Sequence, residues 1–190
     1  MLTDIRYTFS ENESDLRQIL GLQKRNLPRN LEAVELIDQG FVTADHSLRL
    51  LTEMNREGPH VIAKRGNQII GYALVMTKTF KMRLPVLVPM FDVIAATLYG
   101  GRSLAEYRYF VMGQICIDKP YRSKGVFPGL YQAMRKRFEK EYDLVVTEIS
   151  IRNPRSIRAH EKVGFEWVHQ YTSAVDNEEW VLVVWDWSRQ

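Results

Sequence analysis

Cysteine is almost absent: Cys116 is the only one among 190 residues. That excludes an internal disulfide and points to a reducing compartment, the cytoplasm. No uninterrupted apolar run is long enough to span a bilayer, so no membrane span is expected. The segment Met1–Arg6 also lacks the basic-then-apolar pattern of a secretory signal. Charge of one sign is scarce as well. Lys and Arg number 26 against 23 Asp and Glu, a net charge of +3, and the basic residues lie among acidic neighbours rather than in one block. A nucleic-acid partner is therefore not expected. Cys/His clusters with metal-ligand spacing are missing, as are internal repeats and low-complexity tracts, so no metal is expected. A Gly-x-x-x-x-Gly-Lys-Ser/Thr loop is also missing, which argues against a nucleotide hydrolase of that type.

What is present reads as one ordinary globular domain over residues 1–190. Hydrophobic residues make up 45% and charged residues 26%, and the length is enough to bury a substantial core. The most informative stretch runs Arg122-Ser123-Lys124-Gly125-Val126-Phe127-Pro128-Gly129-Leu130. The run before it, Tyr109–Ile117, is rich in β-branched and aromatic residues and is closed by Asp118-Lys119-Pro120, so a strand delivers the turn. After it, Leu130, Met134 and Phe138 fall on one helical stripe. A basic, glycine-bearing turn that opens a helix is suited to phosphate. The first N–H groups of the helix lack intrahelical partners, the aligned peptide dipoles add positive character, and Arg122 and Lys124 add formal charge. Gly125 lets the backbone approach closely or adopt positive φ.

Thirty residues on, Asn153 to Phe165 reads as a short helix with both caps. Asn153 is the N-cap, Pro154 takes the first helical position, and Gly164 stands where a left-handed C-terminal residue is wanted. The segment before it alternates, with Val145, Thr147, Ile149 and Ile151 on one face and Glu148, Ser150 and Arg152 on the other. Elsewhere Ile5–Phe9 predicts a strand, Glu13–Asn26 a helix, Leu31–Gln39 a second helical region, and His60–Lys64 with Gln68–Met76 a hairpin across Arg65-Gly66-Asn67. Trp180–Trp187 predicts a long strand paired with one that begins near Phe165. The stretch from Thr77 to Arg108 is too apolar for a solvated linker and is expected to cover an acceptor pocket, a partner subunit or an open part of the core.

The succession of strand, phosphate turn, helix, strand, Asn-initiated helix and Gly-Phe resembles the acyl-CoA-binding half of the GNAT superfamily of N-acyltransferases. Arg122 and Gly125 match two of the three places of its pyrophosphate signature. Asn153, Ser156, Glu161, Lys162, Gly164 and Phe165 match its second signature. The resemblance implies an α/β fold of the α+β type, with a mixed, largely antiparallel central sheet flanked by helices and a splayed central pair at Tyr109–Ile117 and Val145–Ile151. The stretch at about 77–108 would be an insertion.

It also implies acetyl-CoA, or another short acyl-CoA, as co-substrate. The thioester carbonyl would be polarised by backbone at Ile115, Cys116 and Ile117, the pyrophosphate bound at Arg122, Ser123, Lys124, Gly125, Val126 and Phe127, and the pantetheine arm met by Asn153 and Ser156. Two positions depart from the superfamily pattern: bulky Phe127 stands where a small residue is usual, and His160 where many relatives carry tyrosine.

Direct attack of an amine on the thioester requires a deprotonated nucleophile, and a proton donor helps the thiolate leave. His160, with an unperturbed pKa of about 6.5, is the candidate donor, the alternative being a ring that merely packs. Glu148 is the candidate base, or else solvated surface. Cys116 reads better as a buried structural residue than as a nucleophile, because no partner base is legible beside it. The acceptor is a small-molecule or peptide amine of unspecified identity, and a homodimer through the apolar segments is reasonable. The competing function class is a non-catalytic acyl-CoA sensor or interaction module, which would bind the co-substrate without acceptor-dependent thiol release.

Overall fold

Residues 68–76 lose the alternation of a half-solvated strand: every position from Ile69 to Met76 is buried, as in a strand covered on both faces. In the computed structural model, which describes residues 4–30, 42, 44–83, 87–174 and 177–189, this strand is the centre of the first of two compact units. That unit comprises Met1–Met76 with Met112–Arg137, and the second comprises Thr77–Val111 with Phe138–Gln190.

The first unit is built from β1 (Arg6–Phe9), α1 (Glu13–Arg25), α2 (Leu48–Glu57), β2 (Val61–Arg65), β3 (Gln68–Met76), the end of β6 (Tyr109–Ile117) and the helix spanning Val126–Phe138. β1, β2 and β3 form an antiparallel meander, and the β2–β3 turn holds Gly66 at φ +56. α1 and α2 lie over β3 and bury Leu16, Ile19, Leu22, Leu51 and Met54. The other face of β3 is reached at Gly71, where an added Cβ would stand 3.2 Å from Val126 Cγ1 and 3.4 Å from Leu130 Cδ1. The missing side chain is what lets the 126–138 helix pack so close. Asn12 caps α1 through Asp15 N–H, and Asp15 forms a buried ion pair with Lys64 at 2.6 Å.

The second unit contains α3 (Phe80–Arg83), α4 (Val88–Ala96), the small hairpin β4 (Leu98–Tyr99) and β5 (Arg102–Ser103), the start of β6, β7 (Leu144–Ser150), α6 (Pro154–Val163), β8 (Glu166–Thr172) and β9 (Glu179–Asp186). The helix at Val126–Phe138 is α5. β7 pairs antiparallel with β9 from Leu144↔Asp186 to Ser150↔Trp180, and β9 pairs with β8. The β6–β7 ladder is parallel and covers three pairs, Tyr109↔Leu144 to Val111↔Val146. Along the chain's sheet the order is β1-β2-β3-β6-β7-β9-β8. This is the mixed, largely antiparallel α/β arrangement expected.

Strand and helix boundaries follow the sequence closely at β6, α1, α6 and β9. The helical region expected at 31–39 lies outside the described residues. α2 is an addition: Ser47 caps it by accepting from Leu50 N–H at 3.2 Å. So are the elements of the 77–108 insertion. These are held together by Lys78, whose ammonium donates to Ala105 O at 3.0 Å and Tyr107 O at 2.8 Å and sits 4.4 Å from the Tyr109 ring centre.

Candidate active site

In the first unit, β6 delivers Ile115, Cys116 and Ile117. Cys116 faces the core, and Ile115 and Ile117 are half-buried on the opposite side. Burial pushes the Cys116 thiol up to about 12, so it is no nucleophile at neutral pH. A short 3₁₀ turn at Lys119–Tyr121 then leads into the glycine-bearing loop. Ser123 at φ +58 and Gly125 at φ +83 are both left-handed. Such alternation turns successive N–H groups toward one side and forms an anion-binding concavity at the start of α5. No atom lies within 4 Å of the position a Cβ on Gly125 would take, so the concavity is open there. The residues present therefore suit a pyrophosphate.

Arg122, the candidate phosphate ligand, opens this loop. Its Nε donates to Ile117 O at 3.0 Å and its Nη2 to Asn26 Oδ1 at 2.5 Å, tying the turn to the end of β6 and to the C-cap of α1. Ser123 and Lys124 remain exposed, whereas Val126 is buried. Phe127 lies along its own helix, with its ring 5.2 Å from that of Tyr131 one turn on. Gly129 faces β1 so closely that a Cβ there would overlap the Tyr7 ring.

Behind β6 runs a buried polar network that no local pattern announces. Gln114 Oε1 accepts from Tyr72 Oη at 2.6 Å and from Gln23 Nε2 at 2.7 Å, while Gln114 Nε2 donates to Ala44 O at 2.9 Å. Gln23 Oε1 accepts from His46 N–H at 2.9 Å, and its amide nitrogen approaches His46 Nδ1 at 2.7 Å. The two backbone contacts orient both amides, so His46 Nδ1 accepts and carries no proton. Burial pushes this imidazole down to about 4.

In the second unit, Asn153 caps α6 by accepting from Ser156 N–H at 3.2 Å, and Gly164 closes it at φ +116. Asn153 is buried and Ser156 half-buried. His160, the candidate proton donor, lies on the buried side of α6. It is 1% exposed, and burial pushes its pKa down to about 4. Its Nδ1 lies 2.8 Å from Ser156 O, which places the proton of the neutral ring there. The ring meets Phe165 edge-on at 5.0 Å, and Phe165 meets Trp185 at 5.7 Å.

Trp185 stands opposite Val145 across the β7–β9 ladder, so this aromatic cluster lies on the Val145, Thr147, Ile149 face of β7. Glu148 is on the other face. The two candidate catalytic side chains are thus on opposite sides of one strand. Glu148 is half-buried, and Tyr171 of β8 donates its hydroxyl to Glu148 Oε2. Tyr171, a neighbour of the candidate base, is not legible in the sequence, since only the register of three strands brings it to Glu148. On the same face, Ser150 donates to Glu178 Oε1, and Glu178 pairs with Arg152 at 2.6 Å.

The chain belongs to the acetyltransferase (GNAT) family, whose profile matches residues 25–165, and its class is that of acyl-CoA-dependent N-acyltransferases. No curated protein sequence matches it significantly. Solved structures share the fold at low identity. A chain of the NatC complex, crystallised with Gag peptide and CoA, superposes with a TM-score of 0.65 at 16% identity, covering 98% of this chain and 100% of that one. The ribosomal-protein-S18-alanine N-acetyltransferase from Escherichia coli gives 0.60 at 13%, covering 96% and 93%. A chimera of Vibrio cholerae spermidine N-acetyltransferase SpeG and hSSAT gives 0.60 at 14%, covering 98% of each. Among the described residues no helix is long and apolar enough to cross a membrane, and no group of three or more His, Cys, Asp or Glu could hold a metal ion.

Proposed function

We propose that this chain transfers an acetyl group, or another short acyl group, from acyl-CoA directly to a primary amine of a small molecule or peptide in the cytoplasm. The observation that carries the reading is the 122–127 turn: two left-handed residues, an open concavity at Gly125 and a helix start within the matched family region. The co-substrate supplies the activated acyl group. Backbone N–H groups of Ser123 to Phe127 bind its pyrophosphate, with Lys124 adding charge, and Asn153 and Ser156 meet its pantetheine arm. Backbone at Ile115–Ile117 polarises the thioester carbonyl, where pre-aimed donors act most strongly.

Glu148 takes the proton that the incoming ammonium must lose, and Tyr171 holds that carboxylate in place. The amine nitrogen then forms the new bond to the carbonyl carbon, the C–S bond breaks, and one of the two protons left on nitrogen departs as the thiolate gains one, the amide keeping the other. His160, neutral and buried, serves instead to brace the first turn of α6.

Isothermal titration with acetyl-CoA, CoA, ATP and NAD tests the binding half, and thiol release with an amine panel tests the chemistry. Saturable binding of acetyl-CoA and CoA, weakened in Gly125→Glu, and amine-dependent thiol release are expected. Binding of neither coenzyme would refute the reading.

A further inference from the structure

The second unit holds a cavity of about 280 Å³ lined by Val93 and Ala96 of α4, Thr97 and Leu98 beyond it, and Val168 and His169 of β8. Four of these six side chains are apolar. Thr97 spends its hydroxyl on Val93 O at 2.8 Å. His169 lies parallel to the ring of Tyr171, with centroids 6.3 Å apart and planes 12° apart, and Tyr171 donates to Glu148. His169 and Glu148 both pair with Leu182, from the two sides of β9, so they share one face of the sheet. The cavity therefore opens beside a row that leads through His169 and Tyr171 to the carboxylate. Leu98, at its wall, is 70% exposed, an apolar surface that an apolar ligand would cover.

We infer that this cavity is a specificity pocket for the acceptor, taking a neutral alkyl or aromatic group carried close to the reacting amine. The inference rests on the reading of Glu148 as the base. The volume falls at the lower edge of ligand pockets, which run from about 300 Å³ upward, so it suits a side-chain-sized group rather than a whole ligand. No carboxylate lines it. The cationic tail of a polyamine would lose hydration there without a counter-ion, so the site favours an amine bearing an apolar substituent over a polycation.

The test is kcat/KM for glycinamide, alaninamide, leucinamide and phenylalaninamide, with spermidine as the polycation, in the wild type and in Ala96→Trp, which fills the cavity. In the wild type the values should rise about fourfold per buried methylene, hence roughly 250-fold from glycinamide to leucinamide, which is four carbons larger, and spermidine should stay near glycinamide. Ala96→Trp should compress the leucinamide-to-glycinamide ratio to within about threefold of unity. Val168→Thr, which conserves shape and adds a hydroxyl, should lower that ratio severalfold and stands in if Ala96→Trp fails to fold.

Three results overturn the pocket: a flat series in the wild type, a ratio unmoved by either variant, or light scattering in which Ala96→Trp dissociates a dimer while acceptor preference stays the same. Failure of the parent reading looks different, with no acetyl-CoA binding and no thiol release for any amine.

Discussion

Acidification from pH 7 to pH 5 should cost this protein stability, and His160 alone should account for about 2 kcal/mol of the loss. The ring is 1% exposed and its Nδ1 proton is committed to Ser156 O at 2.8 Å. Charging it means placing an imidazolium against Phe165 without solvent. Burial therefore lowers its pKa from 6.5 to about 4, while in the unfolded chain it returns to about 6.5. Between those values the unfolded chain binds a proton that the folded chain does not. The stabilising contribution is thus complete above the unfolded pKa and is lost as pH falls through this window. At its limit it amounts to roughly two and a half pH units, on the order of 3 kcal/mol.

His46 and His60, also pushed down to about 4 by burial, add losses in the same window. Asp143, held low by its hydrogen bonds to Arg108, acts only at lower pH. The assay is urea unfolding at several pH values for the wild type and His160→Phe, which keeps an aromatic ring against Phe165 and cannot titrate. The variant should lose about 2 kcal/mol less than the wild type between pH 7 and pH 5. Equal losses would mean that His160 titrates alike in both states, and the buried neutral ring would be wrong. An imidazole NMR titration giving a pKa near 6.5 would say the same.

Glu148→Gln should lower kcat by about 10²- to 10⁴-fold while leaving the acetyl-CoA dissociation constant within about twofold, as read by stopped-flow thiol release and calorimetry. Gly129→Ala should destabilise the first unit by several degrees in melting temperature, because the new methyl overlaps Tyr7, and Tyr7→Ala in the same chain should recover part of the loss. Gln114→Leu leaves the Tyr72 hydroxyl and the Gln23 amide without their buried partner. It should cost about 2–5 kcal/mol in urea unfolding, with acetyl-CoA affinity little changed.

Features legible in the chain are those written by neighbours in sequence. Pro154, Asn153 and Gly164 define α6 because capping is a matter of three or four residues, and Asp118-Lys119-Pro120 closes β6 for the same kind of reason. The left-handed Gly125 follows from the turn it must make. α2 was within reach of the same rules, through Ser47 and the Leu48, Leu51, Met54 spacing.

What stayed hidden depends on register between distant strands. Gln23 and Gln114 meet across 91 positions, and Tyr171 reaches Glu148 only because β9 lies between β8 and β7. Depth was hidden too. His160 sits on an amphipathic helix where half a turn of rotation separates solvent from core, and that placement turns an ordinary imidazole into one that stays neutral.

The Lys78 clamp bears on how such an enzyme changes over evolutionary time. By joining Lys78 to Tyr107 at 2.8 Å, it brings the two ends of the 77–108 segment together beside the start of β6. A segment attached in this way can be lengthened, exchanged or pruned by recombination at its base while the strands on either side keep their register. Changes between those ends then leave the glycine-bearing turn that opens α5 untouched.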